Sequence, residues 1–482
     1  MKQRTKPTPG LAKCPTGIRG LDELTNGGLP LGRPTLVCGS AGCGKTLLAM
    51  EFIVRGARDF NEPGVFMAFE ETEKELADNV ASLGFNLPDL VRRGKIILDY
   101  VRIERSEIEE TGEYDLEGLF VRLGSAIDTI GAKRVALDSL EALFSGLPSE
   151  AILRAELRRL FHWLKARGVT VVITGEQGKG TITRYGLEEY ISDCVILLDH
   201  RVVNQVGTRR LRIIKYRGSA HGTNEYPTMI DEGGLSVLPI SSLGLDYGVT
   251  TQRISTGVPQ LDAMVGGKGY FRGSSVLVSG TAGTGKSSLA AAFVDAACRR
   301  GERCLYLAYE ESPAQIIRNM SSIGFDLGQW VRKDRLQFHA VRSTVYGLEQ
   351  HLVSIHKLVE LYRPTVVVMD PVTNLISVGE SAEITAMLTR VIDYLKTKNI
   401  TTLFTSLTAG GIADEQTDVG ISSLMDTWLL VRNLEADGDR TRLLYILKSR
   451  GMAHSSQVRT FVLSRRGIAV LDAKGAGKGE RP

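Results

Sequence analysis

Two stretches of this chain have the spacing of a phosphate-cradling loop, G-x-x-x-x-G-K-[ST]. The first reads Gly39-SAGC-Gly44-Lys45-Thr46 and the second Gly280-TAGT-Gly285-Lys286-Ser287. Glycines let backbone N–H groups approach phosphate oxygens, and the helix that follows turns its positive end toward them. The lysine reaches the β- and γ-phosphates, and the Thr or Ser hydroxyl is a ligand for Mg²⁺. A glycine turn with an incidental lysine is the plain alternative. Two complete copies, each after an apolar strand and before a helix, weigh against it.

Acids follow each loop in matching places. Asp138 and Asp370 end the apolar runs RVALD and VVVMD, where a carboxylate can hold magnesium through water; an Asp there also suits a simple turn. Glu70-Glu71 and Glu310-Glu311 follow the second strand of each half, at the carboxyl edge where ligands collect in open α/β sheets. One glutamate there can polarise a water or hydroxyl for attack on the γ-phosphate while its neighbour attends to the metal. The alternative is an acid pair serving a helix N-terminus. The candidate catalytic set is thus Glu70, Glu71, Glu310 and Glu311. The candidate metal set is Thr46, Glu71, Asp138, Ser287, Glu310, Glu311 and Asp370. Late in each half comes a basic pair on one face of a strand, Lys215 with Arg217 and Lys448 with Arg450. In a ring such a pair reaches a neighbour's γ-phosphate; otherwise it guards a strand edge with charge.

These motifs recur in one order because the chain is written twice. GIRGLDELTNGGLPLGRPTLVCGSAGCGKT from Gly17 matches GVPQLDAMVGGKGYFRGSSVLVSGTAGTGKS from Gly257. A Gly/Ser interruption at 242–251 divides domains at 1–246 and 247–470, with a disordered tail over 471–482. Apolar strands (35–39, 65–69, 134–138, 169–174) alternate with amphipathic helices such as 150–168. That alternation predicts a mostly parallel sheet with helices on both faces. Consecutive strands at the end of each half (CVILLDHRVV, then RRLRIIKYR) predict antiparallel additions.

Composition limits the alternatives. At 482 residues, 43% hydrophobic and 24% charged, the chain reads as a soluble globular protein of two or three domains, and the repeat selects two. A net charge of +4 excludes a polybasic or acidic tail as the main feature, and 6% aromatics argue against a base-stacking platform. Glycine, 52 residues, exceeds the average of about 7% without a collagen period, so it belongs in functional turns. The six cysteines form no CxxC pair, which points to a reducing cytoplasm. No secretory leader or membrane span is apparent.

Taken together, GSAGCGKT, FEE, RYGLEEYISDCVILL and KYRGSAHGTNEYP in the first half, with GTAGTGKS, YEES, DVGISSLMDT and KSRGMAH in the second, resemble the KaiC family. These are tandem RecA-like ATPases of the cyanobacterial clock and their relatives, and the similarity runs from about Pro15 to Val470. The resemblance implies a double-ring homohexamer with ATP and Mg²⁺ between subunits, slow ATP hydrolysis in the first ring and autophosphorylation in the second. Nucleotide contacts are implied for Gly42, Gly44, Lys45, Thr46, Leu47, Ser82, Lys215, Tyr216, Arg217, Ser219 and His221. In the second half they are implied for Gly283, Thr284, Gly285, Lys286, Ser287, Ser288, Lys448, Ser449, Arg450 and His454. Ser422 and Ser423 stand at the family's phosphoacceptors, usually Ser then Thr, and Thr417 at a position that carries phosphate transiently. In that scheme Glu310 is the general base. A Ser-Ser pair that only caps or packs a short helix is the alternative.

Three departures qualify the resemblance. The sequence ends with RRGIAVLDAKGAGKGERP, of which only a short stretch follows the second domain, so a KaiA-like activator is not expected. Ile323 replaces an aromatic near the adenine of the second site, and DPVTNL replaces a small, Ser-rich sequence after Asp370. The expectation is therefore a non-cyanobacterial or clock-independent homologue. A KaiB-like partner at 184–193, or a response-regulator or histidine-kinase partner, stays open. So do two other readings: a RecA-like DNA-binding recombination ATPase, disfavoured by charge, and an ATP-stabilised scaffold without kinase activity.

Overall fold

The computed structural model describes residues 10–101, 117–139, 141–142, 150–178, 181–183, 192–203, 206–239, 248–408, 421–436 and 439–472. Thr417, and residues 184–191 of the candidate partner segment, lie outside them. The chain divides into two compact units, Met1–Val203 with Gly207–Ser242, and Leu243–Pro482 with Asn204–Val206.

Each unit is built on a nine-stranded sheet. In the first, the order is Gly234–Val237, Glu225–Asp231, Val206–Tyr216, Cys194–Val203, Pro34–Gly39, Thr170–Glu176, Arg134–Asp138, Gly64–Ala68, Ile96–Tyr100. From Cys194–Val203 onward neighbouring strands are parallel, and the strands at the other end are antiparallel. The second unit repeats this arrangement around the central strand Ser275–Gly280.

The central strands are buried at every position, as Pro34–Gly39, Arg134–Asp138 and Val366–Asp370 show. Their continuous β-branched and aliphatic runs suit a sheet covered on both faces. Lys45–Asp59 lays Leu48, Phe52 and Ile53 on one face against Val37 and Phe66, and Lys286–Arg299 does the same with Leu289, Phe293 and Val294 in the second unit. On the opposite face of the first sheet, Leu157, Leu160 and Leu164 of the helix Glu150–Ala166 pack with Leu137 and Ile173. Each fully buried side chain of this size contributes about 1.5–3 kcal/mol.

Candidate nucleotide sites

Each phosphate loop joins the end of a central strand to the start of a long helix. Gly44 (φ 105°) and Gly285 (φ 99°) sit at the helix N-caps in the left-handed region that favours glycine. A Cβ added at Gly42 or Gly283 meets nothing within 4 Å, so the loop is open on that side. Lys45 folds back over its loop, Nζ donating to the carbonyls of Gly39 (2.9 Å) and Ser40 (3.0 Å). Lys286 does the same with Gly280 (2.9 Å) and Thr281 (2.8 Å). Burial lowers Lys286 to about 8, against the pull of Asp370 and Glu310. In the first unit a cavity of about 380 Å³ opens beside the loop, lined by Gly42, Lys45, Thr46, Leu47, Glu71 and Asn79 among others. Ser82 caps the helix Glu73–Ala81 next to Leu83, which also lines that cavity.

The acids converge on the same edge. Asp138 is nearly buried and accepts a hydrogen bond from the Thr174 hydroxyl. Burial holds its carboxyl above the usual range, while hydrogen bonds from Thr174 and Thr46 pull it back. The loop threonine and the strand-end aspartate therefore share one spot, as a common metal would require. Glu71 is also raised, by burial and then by Asp138, with Asn79 opposing from 3.4 Å. Ser139 donates to Glu70 at 2.7 Å. In the second unit Asp370 accepts from Thr405 and from Tyr306, and Asn319 donates to Glu311 at 3.1 Å. The peptide bonds Asp138–Ser139 and Asp370–Pro371 are both cis. Helix capping does not occupy the glutamate pairs. Thr72 with Glu75, and Ser312 with Gln315, form the capping boxes of the helices that follow.

The basic pairs lie elsewhere. Asp193 and Asp426 stand beside the first residues of the central strands, their N–H groups bonded to the carbonyls of Pro34 (3.3 Å) and Ser275 (2.9 Å). The N–H groups of Arg217 and Arg450 bond in turn to the carbonyls of Asp193 (2.8 Å) and Asp426 (2.7 Å). The phosphate loop leaves the other end of that strand. With six residues between, at about 3.3 Å each, the pair is about 20 Å from the loop of its own unit. Lys448 donates to the Ser422 carbonyl (2.9 Å) and Arg450 to the Ser423 carbonyl (2.7 Å), so the short 3-10 turn Ser422–Leu424 rests on the cations. Burial, then Arg450 and Lys396, lower Lys448 against the pull of Asp426.

Comparison with known proteins decides the family. The family model for the KaiC ATPase matches residues 14–242 and again 254–475. The chain belongs to the KaiC family of ATPases. It is 60% identical over 465 residues, 96% of this chain and 82% of the relative, to a circadian clock protein, KaiC2, of Synechocystis sp.. It is 36% identical over 466 residues, 96% of this chain and 90% of the relative, to the circadian clock oscillator protein KaiC of Synechococcus elongatus.

Within this KaiC-family chain the candidate residues separate into two edges per unit. The loop residues Gly42 to Leu47 and Gly283 to Ser288 share one edge with Glu70, Glu71, Asp138, Glu310, Glu311 and Asp370. Lys215, Arg217, Lys448, Arg450, Ser422 and Ser423 take the other. Some side chains near the second edge point inward. The Tyr216 hydroxyl donates to the Gly28 carbonyl (2.8 Å) under Lys13, and buried Ser449 pairs with Thr427 (3.0 Å). Ser219 binds Lys13 (2.7 Å), and His221 and His454 lie in adjoining loops against the carbonyls of Ser219 and Met452. Ile323 packs against the second core. Sequence reasoning missed Thr174, Thr405, Ser139 and Tyr306. Tyr306 left a signal, since a phenol in an otherwise aliphatic buried strand must find an acceptor.

Proposed function

We propose that this chain binds Mg-ATP in both units, hydrolyses it in the first and phosphorylates Ser422 or Ser423 in the second. ATP would lie between subunits of a double-ring homohexamer serving a timing or signalling system in the cytoplasm. The carrying observation is the two-edge geometry. A phosphate loop and a basic pair about 20 Å apart cannot grip one γ-phosphate within a subunit. A neighbour's loop brought against the basic edge lets them do so, and Ser422 and Ser423 already lie on that edge.

The donor set fits magnesium, because Thr46, Ser287, Asp138, Asp370, Glu71, Glu310 and Glu311 offer only hard oxygens. Bound there, the ion would draw charge from the β- and γ-phosphates. Lys45 and Lys286 would leave their loop carbonyls for phosphate oxygens. Glu70 or Glu71 would orient water in the first site. Glu310, whose side chain makes no hydrogen bond among the described residues, would take the proton of a neighbour's serine.

Mixed subunits test the reading. Lys286→Ala chains keep their serines but lose the second loop's lysine; Ser422→Ala/Ser423→Ala chains keep the loop but lose the acceptors. Phosphopeptide mapping after Mg-ATP should find phosphoserine in the mixture and in neither variant alone. Phosphate on Lys286→Ala chains alone would refute transfer from the second loop, and an unmodified wild-type chain would refute the kinase.

A further inference from the structure

The two units hold the carboxylate at the end of the metal-facing strand differently. In the first, Asp138 takes a hydroxyl from Thr174 at Oδ1; a second acts on it from the loop's Thr46, which a bound ion would claim, and Phe66, two residues before its register partner Ala68 on the adjacent strand, has none to offer. Ser139 spends its hydroxyl on Glu70 instead. In the second, Thr405 donates to Oδ1 of Asp370, and Tyr306, which occupies the place of Phe66, donates to Oδ2 at 2.5 Å. Pro371 replaces Ser139, so the hydroxyl present near the glutamate in one unit appears on the aspartate in the other. Tyr306 is fully buried and packs against Phe338 at 5.2 Å between ring centroids, which fixes the phenol. Burial and the charge of Asp370 keep it protonated and therefore a donor.

A carboxylate held through one oxygen still pivots about that contact. One held through both oxygens by buried hydroxyls keeps its plane. Partners that fix a metal-facing group in this way commonly change metal affinity by ten-fold or more. We propose that Tyr306 is a positioning residue of the second nucleotide site, locking Asp370 so that this site holds its divalent ion more tightly than the first. The inference rests on the reading above that Asp370 faces the metal.

The experiment is a Mn²⁺ titration of the full chain with ADP, followed by electron paramagnetic resonance, which reads binding without turnover. Wild type should show two classes of site, and Asp370→Asn should remove or weaken the tighter one. Tyr306→Phe, which deletes one oxygen, should loosen that same class about ten-fold and leave the other unchanged. Phe66→Tyr should tighten the weaker class. If Asp370→Asn moves neither class, the metal reading itself fails. If it moves one class and Tyr306→Phe moves none, Asp370 faces the metal but Tyr306 does not position it. A fall in the thermal midpoint of Tyr306→Phe with both classes unmoved would assign the phenol a packing role only.

Discussion

Lys286 should make nucleotide binding in the second unit a proton-linked event. Its ordinary value of 10.5 falls to about 8 because the ammonium is buried in its loop, with only 7% of the residue exposed. That difference of about 2.5 units corresponds to ~3 kcal/mol. At neutral pH the lysine is charged whether the chain is folded or not, so its burial costs about that amount before nucleotide arrives. As pH rises from about 8 toward 10.5 the folded chain releases a proton that the unfolded chain keeps, and the cost fades. Phosphate reverses the preference by restoring the ammonium. ADP binding at this site should therefore take up a proton above about pH 8, with affinity falling about ten-fold per pH unit up to the value of the complex. Titration calorimetry at about pH 9 in two buffers of different ionisation enthalpy measures that uptake directly. Lys286→Arg keeps its charge throughout and should remove this site's contribution. Buffer-independent heats in wild type, with flat affinity between about pH 7.5 and 9.5, would show that the lysine enters the complex without changing its protonation.

Two stability predictions follow from the packing. Gly285→Ala places a Cβ 2.7 Å from the buried Phe461 ring at φ 99°, whereas Gly44→Ala, at φ 105°, meets only the Ile230 methyl at 3.0 Å. Both should lose about 1–2 kcal/mol to backbone strain, and the thermal midpoint of Gly285→Ala should fall further because the ring cannot retreat. Arg134 is fully buried, bonded to Glu62 and to the carbonyls of Phe52 and Pro15, and stacked on Phe52. Arg134→Ala should cost about 3–5 kcal/mol in chemical denaturation, and Arg134→Lys should restore only part, because lysine lacks the planar fork.

The parts that were legible in the sequence are those written in short strings. A phosphate loop needs consecutive glycines and a lysine, and the strand and helix flanking it carry unambiguous periods. The glutamate pairs were visible as residues, yet their freedom from capping became clear only with the Thr72–Glu75 and Ser312–Gln315 boxes in place. Contacts that join distant segments were not legible. Thr174 to Asp138 and Tyr306 to Asp370 depend on which strands become neighbours, and the repeat alone does not order a sheet. The same holds for the basic pairs. Their alternation was plain, but their position opposite the loops depends on an antiparallel return beside the central strand.

That return gives each unit a polarity. One end of the sheet carries a socket for phosphate and the other a pair of cations, so neither end is its own complement. A two-fold joins unlike ends only where two copies lie side by side in opposite directions, so that both junctions form at once. Head-to-tail contact forms one junction at a time, and any finite open row leaves one socket and one cation pair unused. Closure into a ring would fill every end of a head-to-tail row, and the number of copies would then be set by the angle of each step.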